Sequence, residues 1–313
     1  MEVIEKYFLY RADGTEEIEV EKLDKDMNIV RTLTGAHFSE ESKKMTDSDV
    51  KRFKGVYGLL YENELGLQTT IFDIYRSDGM ELNKIYNEDC LVGMKRISGG
   101  SVDLIVTDPP YLINYSRHVK GHRFENKILN DNNPELISKY IKECYRILKN
   151  NSAMYMFTSH KTVDFFKQEL ENTGFNVKNM IIWDKQRQGM GDTSTVFGFQ
   201  YELIFFVSKG QPKIRGKRLS DIWSFPKVVG RNQVHQNQKP IELIERCVTK
   251  HSNEGDVVFD GFMGSGTTAI ACINTNRNYI GFELDEEYYE TSIKRINNHV
   301  EDKQIDLFEV MDN

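Results

Sequence analysis

The chain has 313 residues, 39% of them hydrophobic and 28% charged, so it can bury a core and is too apolar to be disordered. No stretch approaches the roughly 18 uninterrupted apolar residues of a bilayer span. The acidic start MEVIEKYFLYRADG lacks the basic-then-apolar order of a signal peptide, so a soluble, cytoplasmic protein with no membrane partner is expected. The four cysteines, Cys90, Cys144, Cys247 and Cys272, are scattered with no Cys-x-x-Cys pair, which argues against a disulfide framework or a zinc knuckle. They read as reduced and mostly structural, and no metal site is expected.

The net charge of -7 conceals an uneven distribution. Residues 1–82 carry 18 Asp/Glu against 11 Lys/Arg, whereas residues 83–313 balance at 30 against 30. Residues 1–82 hold mixed helix and strand signals around Gly55, Gly58 and Gly66 and no chemical motif, so they read as an acidic accessory or dimer-contact segment. From residue 83 to residue 313, short β-rich runs alternate with helical stretches, the pattern of a doubly wound α/β sheet. Strands are expected at Lys84–Tyr86, Val102–Thr107, Ala153–Thr158, Val177–Trp183, Leu203–Val207, Val257–Asp260 and Tyr279–Glu283. Helical periodicity places Leu136, Ile137, Tyr140, Ile141, Cys144, Tyr145 and Leu148 on one face of residues 134–149. Further helices are expected at 160–172, 240–252, 267–276 and 285–299, with Ser159 and Asp285 as caps of the first and last.

Two long segments interrupt the alternation. Residues 112–131, LINYSRHVKGHRFENKILND, are polar, basic and aromatic by turns. Residues 209–236 lie in a strip, 208–240, with eight basic residues against the single acid Asp221. Segments of this length inside a compact domain are usually functional, and a local basic strip is what phosphate contact requires.

The run VDLIVTDPPY ends an expected strand with Asp108-Pro109-Pro110-Tyr111. Consecutive prolines remove two amide donors and stiffen the backbone, so a carboxylate, rigid carbonyls and an aromatic face are held at a strand's carboxyl end. That set suits a planar base bearing an amine: Tyr111 can stack on the ring while Asp108 and the Pro109 carbonyl accept the two N–H groups. The plainer reading is a tight turn capping a strand. A second run, VVFDGFMGSGTT, passes from a strand through Gly264-Ser265-Gly266 into a helix, where amides can approach a ligand. Glu283, at the end of the next strand, can hold both hydroxyls of a ribose. Spacing alone leaves NAD as an alternative, because Ala269 is a tolerated third position of the dinucleotide fingerprint.

Together these motifs resemble the DNA amino-methyltransferases. Asp108-Pro109-Pro110-Tyr111 looks like their catalytic motif and Asp260-x-Phe262-x-Gly264-x-Gly266-Thr267-Thr268 like their S-adenosylmethionine motif. His235-x-x-Gln238-Lys239-Pro240 is similar to the segment preceding the latter. Because the catalytic motif comes first, the chain is similar to the β-group, whose Rossmann-like sheet is circularly permuted; the resemblance covers roughly residues 83–300.

The resemblance implies that Asp260, Phe262, Gly264, Ser265 and Gly266 line S-adenosylmethionine, with Thr267 and Thr268 near its methionine carboxylate. It places Glu283 on the ribose, Asp89 and Cys90 at the adenine, and Gln238, Lys239 and Pro240 at the methionine end. The family pattern usually has Pro where this chain has Gly261 and a small residue where it has Met263. The implied reaction is methylation of adenine N6 in double-stranded DNA after the base is flipped out. Cytosine N4 is the alternative; enzymes acting on cytosine more often have Ser where this chain has Asp108, so the resemblance favours adenine.

Candidate DNA contacts are Asn114, Arg117, His118, His122 and Arg123 in the first segment, and Arg215, Lys217, Arg218, Lys227 and Arg231 in the second. A homodimer and a cognate restriction endonuclease are open as partners. The rivals from other classes are an NAD-dependent oxidoreductase, which leaves Asp108 to Tyr111 unexplained, and a non-catalytic nucleic-acid-binding subunit, which would be expected to have lost one of two motifs that are both complete here.

Overall fold

A computed structural model describes residues 80–113, 131–189, 194–230 and 238–302 with their side chains. It also describes the backbone of five strands before residue 80 and of the C-terminal helix through Met311. Asn114, Arg117, His118, His122, Arg123, Arg231 and His235 lie outside the described residues. The chain forms two compact units, residues 1–79 with 297–313, and residues 80–296. Met80 and Leu82, which the charge division puts in the N-terminal segment, are buried in the larger unit.

In the smaller unit, β1 (Glu5–Tyr10), β2 (Glu16–Lys22), β3 (Asn28–Thr32), β4 (Lys43–Met45) and β5 (Leu60–Tyr61) form an antiparallel sheet ordered β4-β3-β2-β1-β5. Among the described residues before residue 80, the elements are these five strands. The alternation Glu17-Ile18-Glu19-Val20-Glu21 carries the period of two that a strand with unlike faces requires.

The larger unit is an eight-stranded sheet ordered β11-β9-β10-β8-β7-β12-β13-β6. Its strands are β6 (Lys84–Tyr86), β7 (Val102–Thr107), β8 (Leu148–Thr158), β9 (Asn176–Asp184), β10 (Tyr201–Lys209), β11 (Ile222–Ser224), β12 (Val257–Asp260) and β13 (Asn278–Phe282). All run parallel except β10, which pairs antiparallel with both β8 and β9. Central strands of such a sheet are covered on both faces and read as continuous apolar runs. Val102, Leu104, Ile105 and Val106 of β7 are accordingly at most 1% exposed, and truncating a side chain so buried to alanine typically costs about 2–5 kcal/mol.

The connecting helices are α1 (Cys90–Met94), α2 (Pro134–Ile147), α3 (Val163–Thr173), α4 (Ile241–His251), α5 (Thr267–Asn274) and α6 (Glu286–Met311). In α2, Asn133 caps the Leu136 amide at 3.0 Å, Pro134 opens the first turn, and Leu136, Ile137, Tyr140, Ile141 and Cys144 are buried. Helix α3 begins after Thr162, not at Ser159, and ends at Gly174, whose φ of 106° requires the left-handed region. The Asp285 carboxylate caps α6 by accepting from the Tyr288 amide at 3.0 Å.

From β7 the chain proceeds outward through β8, whereas β12, paired beside β7, leads the other way through β13. The order reverses between β7 and β12, and open α/β sheets bind ligands at such a reversal, outside the carboxyl ends of the strands. Among the described residues no helix is long and apolar enough to cross a membrane.

Candidate active site

A cavity of about 480 Å³ opens at that reversal. On the β7 side it is lined by Thr107 to Tyr111, and on the β12 side by Asp260 to Ser265, Thr267 and Thr268; Asp89, Cys90, Gln238, Lys239 and Glu283 complete the wall. Residues about 150 positions apart in sequence meet because Val258 and Phe259 pair with Leu104 and Ile105. Tyr140 of α2 ties the halves together: its hydroxyl lies 2.7 Å from Thr107 Oγ1 and accepts from the Gly261 amide at 3.2 Å, and its ring meets Phe262 edge-on at 4.8 Å.

The two departures from the family pattern each have a structural counterpart. A Cβ on Gly261 would stand 2.5 Å from the Tyr140 ring, and a proline there would have no N–H for the Tyr140 hydroxyl. Met263 is buried against Gly281, where an added Cβ would fall 2.4 Å from the methionine side chain. The larger residue is accommodated because its neighbour has no side chain.

On the cofactor side, Asp260 Oδ1 accepts from the Phe262 amide at 3.0 Å and Oδ2 from the Thr268 hydroxyl at 2.7 Å. Burial nevertheless lifts the Asp260 carboxyl to about 7. Glu283 accepts from the Gly264 amide at 2.7 Å and from the Asp285 amide at 2.9 Å, and burial raises it too. Gly264 and Gly266 have φ values of 52° and 75°, which let the turn into α5 close tightly. Asp89 caps α1, accepting from Leu91 and Val92 at 2.8 and 3.2 Å, while burial and Asp89 push the neighbouring Cys90 thiol up to about 12. All four cysteines are buried and free, so none is poised as a nucleophile. Arg295, which carries no sequence motif, donates from Nη1 to the Ser265 carbonyl at 2.8 Å and to Thr267 Oγ1 at 2.9 Å, bracing the glycine turn.

On the other side, Tyr111 donates its hydroxyl to Asp108 Oδ1 at 2.5 Å, and its carbonyl accepts from Thr162 Oγ1 at 2.7 Å. The next residue, Leu112, has a φ of 60°, a strained value for a leucine directly after the motif. Lys239, which the resemblance puts at the methionine end, also reaches the catalytic motif: its ammonium lies 2.5 Å from Asp108 Oδ2 and 3.3 Å from Glu202 Oε2. Glu202, at the start of β10, also accepts from Lys185 at 2.9 Å. Burial raises the Asp108 carboxyl against the attraction of Lys239. It also opposes ionisation of Glu202, yet Lys239 and Lys185 hold that carboxyl at about 2.

The basic strip is divided. Strand β10 runs from the cavity at Glu202 to Lys209 at the opposite end of the sheet, and β11 returns. Arg215, Lys217 and Arg218 fall between them at that far end, where Lys250 at the end of α4 donates to the Arg215 and Lys217 carbonyls at 3.0 and 2.7 Å. At about 3.3 Å per residue, the nine-residue strand puts Lys209 roughly 25–30 Å from its Tyr201 end, and Lys250 holds Arg215 and Lys217 near that far end before the chain returns toward Ile222. Of the described candidates for contact with DNA, Lys227 alone lines the cavity. No motif marks the β9–β10 hairpin, which extends beyond the sheet at the cavity end through Lys185 N to Gln200 O at 2.8 Å and Gly189 N to Phe199 O at 2.9 Å. Arg187 and Gln188 are exposed there, Phe197 is 96% exposed, and His160 stacks on Phe199 at 4.6 Å.

A family model described as DNA methylase matches residues 102–294. The chain belongs to the N6/N4 DNA methylase family. It is 30% identical over 252 residues to Type II methyltransferase M1.MboII of Moraxella bovis, covering 67% of this chain and 94% of that protein. It is 29% identical to the DNA adenine methyltransferase YhdJ of Escherichia coli, over 70% of this chain and 84% of the relative. Among solved structures, the M1.HpyAVI–SAM complex superposes with a TM-score of 0.55 at 29% identity, covering 68% of this chain and 98% of that one. The PvuII cytosine-N4-specific DNA methyltransferase shares the fold, with a TM-score of 0.59 at 17% identity over 74% of this chain and 95% of that one. Residues 5–74 match a second model, described as a protein of unknown function (DUF3269).

The chain is therefore a DNA amino-methyltransferase that uses S-adenosylmethionine. The site suits that cofactor. The cavity lies within the roughly 300–1,000 Å³ of ligand pockets, and carboxylates at Asp89, Asp260 and Glu283 offer acceptors for amine and hydroxyl groups along one wall.

Proposed function

We propose that this methyltransferase modifies the N6 amine of an adenine turned out of double-stranded DNA, with Asp108 as the group that receives the amine. The observation that carries the reading is a buried-edge carboxylate at the head of the Asp108 to Tyr111 motif, raised by its surroundings and backed by a tyrosine. The family resemblance associates a carboxylate at that place with adenine, and YhdJ, named as an adenine enzyme, is among the relatives.

Bound S-adenosylmethionine supplies an electrophilic methyl group. The lone pair of an aromatic amine is delocalised into its ring. Asp108 and the Pro109 carbonyl, by accepting the two N–H groups, turn the amine toward tetrahedral geometry and localise that pair. Asp108 then takes the proton that the amine sheds, a role that a raised pKa favours. Tyr111 supports the ring face. Most of the acceleration comes from orientation and fixed charge.

At the cofactor wall, Glu283 would hold ribose hydroxyls with the lone pairs left by Gly264 and Asp285. Contact with the duplex falls to the β9–β10 hairpin and Lys227, at the mouth of the cavity. Relatives named as Type II methyltransferases support a restriction–modification setting. The test is enzymatic digestion to nucleosides, with mass spectrometry, of DNA from a methylation-free host expressing the protein. N6-methyladenine is expected; N4-methylcytosine in its place would transfer the same site to the other base.

A further inference from the structure

We infer that Glu202 and Lys185 govern how tightly Lys239 holds Asp108, making Glu202 a positioning residue for methyl transfer that does not itself touch the base. The inference rests on the reading of Asp108 as the amine acceptor. Four charges alternate across the cavity-side ends of three strands and a loop: Asp108 just after β7, Lys239 before α4, Glu202 at the start of β10 and Lys185 just after β9, with separations of 2.5, 3.3 and 2.9 Å. The Lys239 ammonium sits between the carboxylates with 7% of its side chain exposed and lies 4.9 Å from the Phe157 ring centroid. Both Asp108 oxygens already accept, Oδ1 from Tyr111 and Oδ2 from Lys239. An incoming amine therefore competes with Lys239, and Glu202 is the second carboxylate to which that ammonium can turn. Lys185, bonded to the other Glu202 oxygen, limits how strongly Glu202 draws it away.

The chain of charges has a sign that simple structural support lacks. Removing the Glu202 charge leaves Asp108 as the carboxylate that holds Lys239, which makes Asp108 more acidic and a weaker acceptor. Removing the Lys185 charge frees Glu202 to draw Lys239, which makes Asp108 less acidic. Tyr111 and Asp260 also face Asp108, and His160, Lys161 and Lys227 line the same cavity. All are unchanged in both variants.

The experiment is the pH dependence of single-turnover methylation of genomic DNA from a methylation-free host, at saturating S-adenosylmethionine, for Glu202→Gln and Lys185→Met. In Glu202→Gln the acid limb should move about one unit lower and the plateau fall by about 10- to 100-fold. In Lys185→Met the acid limb should move higher. The cofactor dissociation constant should stay within about threefold in both. Limbs that stay in place, or that move in the same direction, would overturn the inference. Lys185→Met keeps Glu202 in place, so an upward shift there stands alone should Glu202→Gln not fold. Asp108→Ala separates the levels. A variant that keeps substantial turnover removes the reading of Asp108 itself, whereas an inactive Asp108→Ala beside unmoved limbs removes only the role of Glu202.

Discussion

The two ends of the eight-stranded sheet differ in what their charge does. At the cavity end, Asp108, Glu202, Lys185 and Lys239 are partly or fully buried and paired, with burial raising the Asp108 carboxyl and the two lysines holding Glu202 at about 2. At the far end, Arg215, Lys217 and Arg218 are exposed and unmatched by any acid in the strip except Asp221. In the sequence the far end looks more like a nucleic-acid site because its lysines and arginines cluster within a few residues. In space, a strand carries neighbours in sequence to opposite ends of the molecule, and the chemistry collects where strands β7 and β12 stop.

The contrast breaks most directly at Asp108. Asp108→Ala should lower methyl transfer by about 10²–10⁴-fold with cofactor affinity nearly unchanged, measured by single turnover and calorimetry. Next in size, Glu283→Ala should weaken S-adenosylmethionine by about one to two decades, as expected for loss of charge-assisted hydrogen bonds worth roughly 1.5–3 kcal/mol. A dissociation constant unchanged by calorimetry would remove Glu283 from the cofactor.

Charge reversal sharpens the comparison between ends. Arg187→Glu with Lys227→Glu should weaken DNA binding and reduce the salt slope by roughly 0.9 for each phosphate that is no longer neutralised. The triple reversal of Arg215, Lys217 and Arg218 should change it little. A larger loss of affinity from the triple variant, measured on one oligonucleotide across a salt series, would place the DNA at the far end.

The smallest effect is on stability, and it too differs between ends. Burial, then Arg215 and Lys250, lowers the pKa of His251 at the far end to about 4, so the folded state binds fewer protons than the unfolded chain between about pH 4 and 6.5. Stability from that site falls as pH drops through this window. Asp260 at the cavity has the opposite sign: raised to about 7, it costs stability as pH rises from about 4 to 7. Asp260→Asn should therefore raise the melting temperature at pH 8 relative to the native protein, with the gain vanishing near pH 4. A gain independent of pH would contradict the ionisation of Asp260.

Much of the fold was legible because its strands are short apolar runs bounded by chemically marked turns. Val102–Thr107 and Val257–Asp260 coincide with the expected bounds, each ending at a motif. β11 was hidden: Ile222-Trp223-Ser224 is three residues long, too short for a period, and sits in a basic segment where Trp223 is buried by tertiary packing. The start of β8 was hidden because the helical period of residues 134–149 runs on through Leu148 and Lys149, and Asn150-Asn151-Ser152 is polar.

Of the site, the motif residues Asp108, Tyr111, Asp260, Phe262, Gly264 and Glu283 do line one cavity. Glu202 had no local signal, because its partners Lys185 and Lys239 come from other elements and a lone Glu at a strand's start reads as a solvated edge. Arg295 was missed for the same reason, its target being the glycine turn about 30 residues earlier.

The most direct test of which end meets DNA is amide hydrogen exchange of the protein with S-adenosylmethionine, with and without duplex DNA. DNA-dependent protection is expected in residues 185–189 and 194–200 of the β9–β10 hairpin and around Lys227, with exchange at residues 213–220 unchanged. Protection confined to residues 213–220, with the hairpin exchanging freely, would contradict a DNA face at the cavity end.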